Sequence, residues 1–225
     1  MLAHMTAPYS ALESFMYDHF IAPVVMGLLT DLKNEFVKNI GPGAKALDVG
    51  CGGGQLALDL AAARKDLNIT GLDLSIQQIR RAKKRSKKSN TTAEFIQDSA
   101  LSMPFEDKWF DVVYSIGSIK HWPDHKKGLK ECLRVLKPGG TLLIIEIDKN
   151  CSKEDARSFI DKWPTLDLFR PLTTKIFLKL VAGHSISVYE AQTIIDSLHA
   201  GNFTVQKVPD TVVWVMIGVK QAFSA

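Results

Sequence analysis

A glycine-rich turn preceded by an aspartate carries the strongest chemical signal in this sequence of 225 residues. Residues 46–54 read Ala-Leu-Asp-Val-Gly-Cys-Gly-Gly-Gly, an apolar stretch that runs into glycines, and a helical pattern follows directly. Because glycine has no Cβ and tolerates positive φ, such a turn lets the backbone approach a ligand closely. In α/β folds with parallel sheets, the first strand–helix turn is where nucleotides bind.

The charge of this turn indicates what kind of ligand it suits. A dinucleotide site would read G-x-G-x-x-G, but the sixth position here is Gln55. Asp48 also stands just before the first glycine, where its negative charge would oppose a pyrophosphate. The pattern therefore predicts a ligand that carries positive charge.

Two further acidic positions follow the next two predicted strands. Asp73 ends the second strand, roughly 20 residues after the loop, where a carboxylate can accept both hydroxyls of a ribose. Asp98 and Ser99 end the third strand, where a short polar pair can address an adenine edge. Each aspartate alone could be a helix cap or a surface residue. Because the carboxyl ends of parallel strands meet at one edge of a sheet, the ordered set predicts one ligand crevice.

The elements that would position these residues alternate between strand-like and helix-like stretches. This alternation predicts an α/β fold with a mainly parallel sheet. The predicted strands cover residues 45–50, 69–74, 93–97, 110–116 and 141–147, and two more at 203–208 and 212–219 form an antiparallel hairpin. A Pro-Gly-Gly run at 138–140 predicts the end of a helix that spans residues 124–136.

Taken together, these segments resemble the class I S-adenosylmethionine-dependent methyltransferases, of the small-molecule branch that includes the quinone-biosynthesis enzymes. The matching segments are 46–54, 71–75, 97–100, 110–115 and 136–141. The resemblance implies a Rossmann-like, doubly wound sheet of seven strands, mostly parallel with an antiparallel last strand, and helices on both faces. It implies a single domain with an N-terminal helical lid (1–43), a cofactor-binding core (44–148), a helical cap inserted after the fifth strand (149–186), and a final helix and hairpin (187–225).

The resemblance also implies the cofactor S-adenosylmethionine, with S-adenosylhomocysteine as its product. The methionine end would be held by Asp48, Gly50, Cys51, Gly52 and Gly54. Asp73 would bind the ribose, Leu74 would pack on the adenine, Asp98 and Ser99 would read its amino edge, and Ser115 and Ile116 would lie beneath the sulfonium. Gln78 departs from the pattern, because relatives usually place an apolar residue at this contact with the adenosine.

The chemistry of the transfer needs few protein groups. A sulfonium is already activated, so the protein must align an in-line displacement, exclude water and, for some acceptors, remove a proton. His121, just after the fourth strand, is the candidate base, although it could instead only shape the pocket or cap the next helix. His121, Asp124 and His125 match no standard metal-site spacing, and no metal is predicted.

Aromatic and histidine side chains of the lid and cap segments are the candidate contacts of the methyl acceptor. They are Tyr9, Tyr17, His19, Trp163, Phe169, Phe177 and His184. The alternative is that the aromatic residues among them only pack in the core. An apolar cap would suit a small, partly hydrophobic acceptor.

The charge distribution leaves an alternative open. The net charge is +4, but residues 80–88 hold seven cations and no anion, so the rest of the chain carries −3. An RNA or protein methyltransferase could dock through this run, which however offers no aromatic side chain for base stacking. We interpret it as the solvated face of the helix after Asp73, whose late turns point away from the strand ends, and nucleic acid is not favoured as a partner. A non-catalytic protein that binds S-adenosylmethionine is a third hypothesis.

The cysteines and apolar segments bear on location. Cys51, Cys132 and Cys151 form neither a disulfide framework nor a zinc pattern. No signal-peptide pattern is present, and the early apolar run at 21–29 is shorter than the roughly 20 residues that a membrane span needs. We therefore expect a cytoplasmic protein; the oligomeric state is not predicted.

Overall fold

One sheet of seven strands organises the structure, a computed structural model that describes Gly27 and residues 30–89, 91, 93–162 and 170–222. The strands are β1 (Lys45–Val49), β2 (Asn68–Asp73), β3 (Glu94–Gln97), β4 (Phe110–Ile116), β5 (Leu136–Ile147), β6 (Gly201–Lys207) and β7 (Val213–Lys220). Their order is β3-β2-β1-β4-β5-β7-β6. All pairs are parallel except those of β7, which is antiparallel to β5 and β6. The predicted fold class is confirmed.

Helices follow the strands in the predicted alternation. They are α1 (Thr30–Asn39), α2 (Gln55–Ala63), α3 (Ile76–Ser89), α4 (His125–Val135), α5 (Lys153–Ile160), α6 (Arg170–Ile176) and α7 (Val188–Asp196). Region 149–186 is largely helical where it is described, and α6 continues into a π-helical turn (Phe177–Val181) and a 3₁₀ turn (Ala182–His184). Of the predicted lid (1–43), Gly27 and residues 30–43, which include α1, belong to the described residues. In the described part of the chain, no helix has the length and apolar character to cross a membrane.

Each face of the sheet carries its own apolar core. One core contains Ala46 of β1 with Leu58 and Leu60 of α2, and the other contains Leu47 of β1 with Leu129 of α4. Successive side chains of a strand point to opposite faces, so Asp48 shares the face of Ala46. Strand register therefore carries this carboxyl into an apolar layer.

Strand β5 begins earlier than the sequence predicts. The Pro-Gly-Gly run predicts a break before a strand at residue 141, but α4 ends at Val135 and β5 starts at Leu136. Leu136 pairs with Phe110, the register then shifts, and Gly139 takes a φ of +76°. The run forms an irregularity within the strand, because pairing with β4 outweighs the local turn signal.

Two buried side chains tie β7 to the segment before α7 and to the end of α4. The indole nitrogen of Trp214 donates to the carbonyl of Ile186 at 2.9 Å. The ammonium of Lys220 donates to the carbonyls of Leu133 and Leu136, each at 2.7 Å, where α4 ends. Carbonyls in the last turn of a helix lack partners within it, and Lys220 supplies the donor.

Candidate functional site

The glycine loop after β1 is held in place by β2. The amides of Gly50 and Cys51 both donate to the carbonyl of Leu72, at 2.7 and 3.0 Å. Gly50, Gly52 and Gly54 have φ values of 77°, 51° and 74°, in the left-handed region that glycine adopts without strain. The turn predicted from the sequence is therefore fixed by backbone hydrogen bonds at the end of the neighbouring strand.

The three glycines differ in what surrounds them. A Cβ at Gly50 would overlap the side chain of Ser118, and one at Gly54 would lie 2.7 Å from the ring of Phe95. A Cβ at Gly52 would meet nothing nearer than the side-chain nitrogen of Gln78, at 4.0 Å. Gly50 and Gly54 are thus required by packing, whereas Gly52 leaves room in front of the loop.

Asp73 lies at the end of β2, beside this opening. One carboxylate oxygen accepts from the amide of Gly52 at 2.9 Å, and the other accepts from the amide of Ser75 at 2.8 Å. The carboxylate is therefore oriented by the loop on one side and by the start of α3 on the other. The adjacent Leu74 is 48% exposed and offers an apolar surface next to it.

Asp48 is a buried carboxyl, only 3% exposed. Burial, and then the nearby charge of Asp73, raise its pKa to about 8. The hydroxyl of Tyr114 lies close enough to oppose this rise in the pKa of Asp48, yet it does not reach the geometry of a formed hydrogen bond. A buried carboxyl without a cation is costly to ionise, so Asp48 is suited to meet a positively charged ligand group.

Buried polar atoms without partners mark the same place. Among the residues that the structure describes, two buried side-chain atoms have no hydrogen-bond partner: the carbonyl oxygen of Gln78 and the hydroxyl of Tyr114. Gln78 faces Gly52, and Tyr114 faces Asp48, so both flank the glycine loop. Native structures hydrogen-bond nearly all such atoms, and the exceptions call for an explanation, such as a ligand. The residues present therefore fit a polar, cationic ligand.

Asp98 and Ser99 close the third strand end beside Asp73. The amide of Asp98 donates to the carbonyl of Asp73 at 3.2 Å, which continues the β2–β3 pairing. A carboxylate oxygen of Asp98 accepts from the amide of Ser99 at 2.7 Å, and the hydroxyl of Ser99 accepts from the amide of Leu101 at 3.2 Å. The predicted convergence of the three strand ends is present, with Asp98 and Ser99 half-buried.

The side chain of Ser115 does not face the opening. It is fully buried, and its hydroxyl donates to the carbonyl of Val49 at 2.7 Å, between β4 and β1. The hydroxyl of Ser115 is therefore used within the sheet, and the expectation that Ser115 lies beneath the sulfonium stays a prediction. Ile116 is half-buried against the core on the face of Ala46.

Cys51 is a structural member of the loop. Its sulfur would lie 2.8 Å from a Cβ at Gly71, so the thiol fills the space that this glycine leaves. Burial, with the charges of Asp48 and Asp73, raises the pKa of Cys51 well above its usual value. The thiol therefore stays protonated and is not a nucleophile.

The basic run on α3 is largely solvent-facing, although Arg81 and Arg85 are half-buried. Lys83, Lys84, Lys87 and Lys88 are exposed. The guanidinium of Arg85, in the second half of the helix, instead donates to the carbonyl of Gly53 at 2.8 Å. The expectation that the late turns of α3 all point away from the strand ends is therefore wrong for Arg85, which supports the glycine loop.

The turn after β4 carries the candidate catalytic residue. Ile119–His121 forms a 3₁₀ turn, and Ser118 before it accepts from the indole nitrogen of Trp122 at 3.1 Å. His121 retains solvent exposure, but the protein around it and the charge of Lys120 lower the pKa of its imidazole, to about 3. The ring is therefore neutral at neutral pH.

A buried ion pair anchors this turn to β5. Glu146 is 1% exposed, and its carboxylate lies 3.4 Å from the ammonium of Lys120, whose side chain is also buried. The same carboxylate accepts from the backbone amides of Lys120, at 3.3 Å, and Ile147, at 2.8 Å. Glu146 therefore fixes the backbone next to His121.

Comparison with known proteins agrees with this geometry. Residues 47–144 match a family described as a methyltransferase domain. The 2-methyl-6-phytyl-1,4-hydroquinone methyltransferase of Synechocystis sp. is 39% identical over 123 residues, which cover 54% of this chain and 37% of that protein. Over residues 47–144 the chain therefore resembles methyltransferase domains. The resemblance inferred from the sequence is confirmed, although this chain spans less than half the length of that relative.

Solved structures of differently named proteins share the fold of this chain. A putative S-adenosylmethionine-dependent methyltransferase of Methanococcus maripaludis matches with a TM-score of 0.67 at 22% identity, over 94% of this chain and 91% of that one. The [4+2]-cyclase SpnF matches with a TM-score of 0.58 at 27% identity, over 89% of this chain and 75% of that one. Because a protein named for a cyclisation shares the fold, the reaction must be argued from the site.

The predicted contacts of the methyl acceptor lie only partly within the described residues. Tyr9, Tyr17, His19, Trp163 and Phe169 lie outside the described residues. Phe177 is buried and packs on Phe159 at 5.1 Å between ring centroids, so this residue belongs to the core and not to an open cap. His184 is exposed on a 3₁₀ turn. In the described part of the chain, no group of three or more His, Cys, Asp or Glu side chains could hold a metal ion.

Sequence reasoning missed four residues around the candidate site: Tyr114, Ser118, Lys120 and Glu146. Each acts across two elements, so no local spacing marks it. The one available signal is strand alternation, which places Tyr114 on the same face of β4 as Val112, a member of the core that Ala46 joins.

Proposed function

We propose that this protein binds S-adenosylmethionine and transfers its methyl group to a small-molecule acceptor. The observation that carries the proposal is the buried Asp48, which lacks a cationic partner in the described structure and lies at a glycine loop flanked by two unsatisfied polar atoms. S-adenosylmethionine has an ammonium group for Asp48, hydroxyls for Asp73, and an adenine for Leu74. This ligand matches these three features of the site by its chemistry.

The chain would contribute binding and orientation. When bound, S-adenosylmethionine supplies a methyl group on a positive sulfur that is already activated for displacement. Asp48 would hold the amino-acid end, Asp73 the ribose, and Asp98 with Ser99 the adenine edge. The loop at Gly50, Gly52 and Gly54 admits the ligand close to the backbone. Ile116 would form the apolar floor near the sulfonium.

His121 would face the acceptor as the catalytic candidate. Its lowered pKa leaves the imidazole neutral, so that it can accept a hydrogen bond or a proton from an acceptor hydroxyl. General bases work best when their pKa lies near the working pH, and about 3 is far below it. This favours orientation of the acceptor over full proton removal. Tyr9, Tyr17, His19, Trp163, Phe169 and His184 stay candidate acceptor contacts.

The class of acceptor is inferred from the relative and the charge pattern. The hydroquinone methyltransferase is named for a small molecule, and the basic run is a solvent-facing helix surface with no aromatic residue for base stacking. The three cysteines are unpaired, which supports a reducing compartment such as the cytoplasm. The similarity to the cyclase supports a second candidate function, in which this chain catalyses a reaction other than methyl transfer.

Calorimetric titration of the full chain with S-adenosylmethionine and S-adenosylhomocysteine tests the binding step. Both should bind at one site and compete, and absence of binding overturns the proposal. Transfer is then tested with radiolabelled S-adenosylmethionine against separate small-molecule, RNA and protein pools. Label in the small-molecule pool is expected. Label only in RNA or protein would identify the alternative acceptor class, and binding without any transfer would favour the second candidate.

A further inference from the structure

The sheet ends in two edge strands of different length, β3 with four residues and β6 with seven. The unpaired backbone groups of an edge strand are a template for pairing with another chain. Natural proteins limit such pairing by keeping edge strands short or by placing proline and free charges on them. The strand β3 is short, whereas β6 is long enough to pair.

The sequence of β6 offers little protection of its own. The strand contains no proline, and Lys207 is its one charged residue. The ammonium of Lys207 lies 2.5 Å from a carboxylate oxygen of Asp155, so this charge is paired within the chain. The exposed side chains of Asn202, Thr204 and Gln206 are neutral. A second copy of β6 would therefore meet no unpaired charge along this strand.

The outer backbone groups of β6 follow from its register with β7. The amide of Val208 donates to the carbonyl of Val213 at 3.0 Å, so the even-numbered residues of β6 turn their backbone groups toward β7. The odd-numbered residues Phe203 and Val205 therefore turn theirs outward. A strand that paired with the middle of β6 would have to bond to the carbonyl of Phe203 and the amide of Val205.

The side chain of Gln192, on α7, already bonds to these two groups. Its carbonyl oxygen accepts from the amide of Val205 at 2.9 Å, and its amide nitrogen donates to the carbonyl of Phe203 at 3.5 Å. The same nitrogen donates to a carboxylate oxygen of Asp196 at 2.7 Å. Because a carboxylate only accepts, Asp196 fixes which end of the glutamine amide faces each backbone group. One side-chain amide thus takes the place that a peptide group of a neighbouring strand would hold.

We propose that Gln192 makes an autoinhibitory contact, which keeps the outer edge of β6 from pairing with β6 of a second copy of this chain. A second copy fits this edge because a strand can pair with itself in antiparallel fashion about a two-fold axis. Such a pair would continue the antiparallel order of β5, β7 and β6. The inference is independent of the proposed function, since it requires no ligand.

Gln192→Met tests the proposal, because methionine keeps the length and helical preference of glutamine but removes both strand contacts. In light scattering, the average mass of the variant should rise with protein concentration, toward about twice that of the wild type at the same concentration. In hydrogen exchange of the dilute variant, the amide of Val205 should exchange at least about fivefold faster than in the wild type. Gln55→Met is the matched control: Gln55 is exposed on α2, bonds to Asp59 at the same spacing and at 3.0 Å, and its variant should keep the wild-type mass.

Two second-site changes locate the association on β6. Val205→Pro removes the outward N–H and leaves the bonds to β7 in place, because an edge strand tolerates proline where its N–H faces outward. Thr204→Lys places a charge at an exposed position of the strand and serves where the proline disturbs it. Either change, added to Gln192→Met, should return the mass to that of the wild type. Gln192→Ala gives a second primary variant if the methionine packs poorly.

Three results would overturn the proposal. An unchanged exchange rate of the Val205 amide in the Gln192 variants would show that the glutamine does not cover the edge. Faster exchange without a rise in mass, whatever the melting temperature, would show that the uncovered edge does not pair. Association that survives both second-site changes would place the contact on another surface.

Discussion

Buried polar side chains occur both around the glycine loop (Asp48, Gln78 and Tyr114) and in the β5–β7 half of the sheet (Glu146, Trp214 and Lys220). The two groups differ in whether these side chains have hydrogen-bond partners. In the β5–β7 half, Lys220 donates to two carbonyls, Trp214 donates to one, and Glu146 accepts from two backbone amides and pairs with Lys120. Around the glycine loop, the buried oxygens of Gln78 and Tyr114 have no hydrogen-bond partner among the residues that the structure describes.

This difference shows that a buried polar side chain can serve either the stability of the fold or the binding of a ligand. A buried polar group with its bonds made holds elements together, and its removal should cost stability. A buried polar group with its bonds unmade weakens the empty protein, and its removal should cost binding instead. One of these two expectations applies to each of Glu146, Asp48, Lys220 and Ser115.

The largest expected effect is the loss of Glu146. Glu146→Leu leaves the buried ammonium of Lys120 without this carboxylate, so the free energy of unfolding should fall by about 3–5 kcal/mol in chemical denaturation. Lys149→Met is the control, because it removes an exposed pair of the same length, 3.4 Å to Glu190, and should cost less than about 1 kcal/mol. Equal costs for the two variants would remove the distinction between buried and exposed pairs.

Asp48→Asn should lower the affinity for the ligand rather than the free energy of unfolding. The substitution removes the negative charge offered to the cationic ligand, so the affinity for S-adenosylhomocysteine should fall roughly tenfold to a hundredfold. Wild-type affinity should rise from pH 6 to pH 8, because binding needs the ionised carboxylate and the pKa of Asp48 is about 8. Calorimetric titrations across this range measure both effects. Tight binding by the variant would contradict a role for Asp48 at the ligand.

The stability of the same variant has its own pH dependence. Folded Asp48 keeps its proton up to about pH 8, whereas an unfolded aspartate loses its proton near pH 3.8, so the wild type loses stability as the pH rises between these values. The asparagine side chain of the variant does not ionise. The variant should therefore become more stable than the wild type as the pH rises, and denaturation curves at pH 5, 7 and 9 test this. A constant difference would show that Asp48 is already ionised in the empty site.

Lys220→Met should cost a moderate amount. Two carbonyls at the end of α4 lose their donor, and the free energy of unfolding should fall by about 1–3 kcal/mol. Burial lowers the pKa of Lys220, which shows that its charge is already costly, so the loss should be smaller than for Glu146. Affinity for S-adenosylhomocysteine should not change. A binding defect without loss of stability would contradict the structural role.

The same contrast explains what the sequence could predict. The glycine loop and the position of Asp73 were predictable because a short motif and strand periodicity determine them locally. Ser118 against Gly50, and Lys220 beneath α4, were not, because these contacts join residues far apart in the chain. The early start of β5 was missed for the same reason: pairing of Leu136 with Phe110 overrides the Pro-Gly-Gly turn signal.

Ser115 gives the smallest and most discriminating test. The family resemblance implies a place for it beneath the sulfonium, and in the structure its hydroxyl donates to the carbonyl of Val49 inside the sheet. Ser115→Ala should therefore lower the free energy of unfolding by about 1 kcal/mol, with affinity for S-adenosylhomocysteine within about twofold of the wild type. Denaturation and calorimetry on one preparation measure both quantities. A large loss of affinity at unchanged stability would contradict the structural role. It would show that the Ser115 hydroxyl acts in binding although it already has a partner in the sheet.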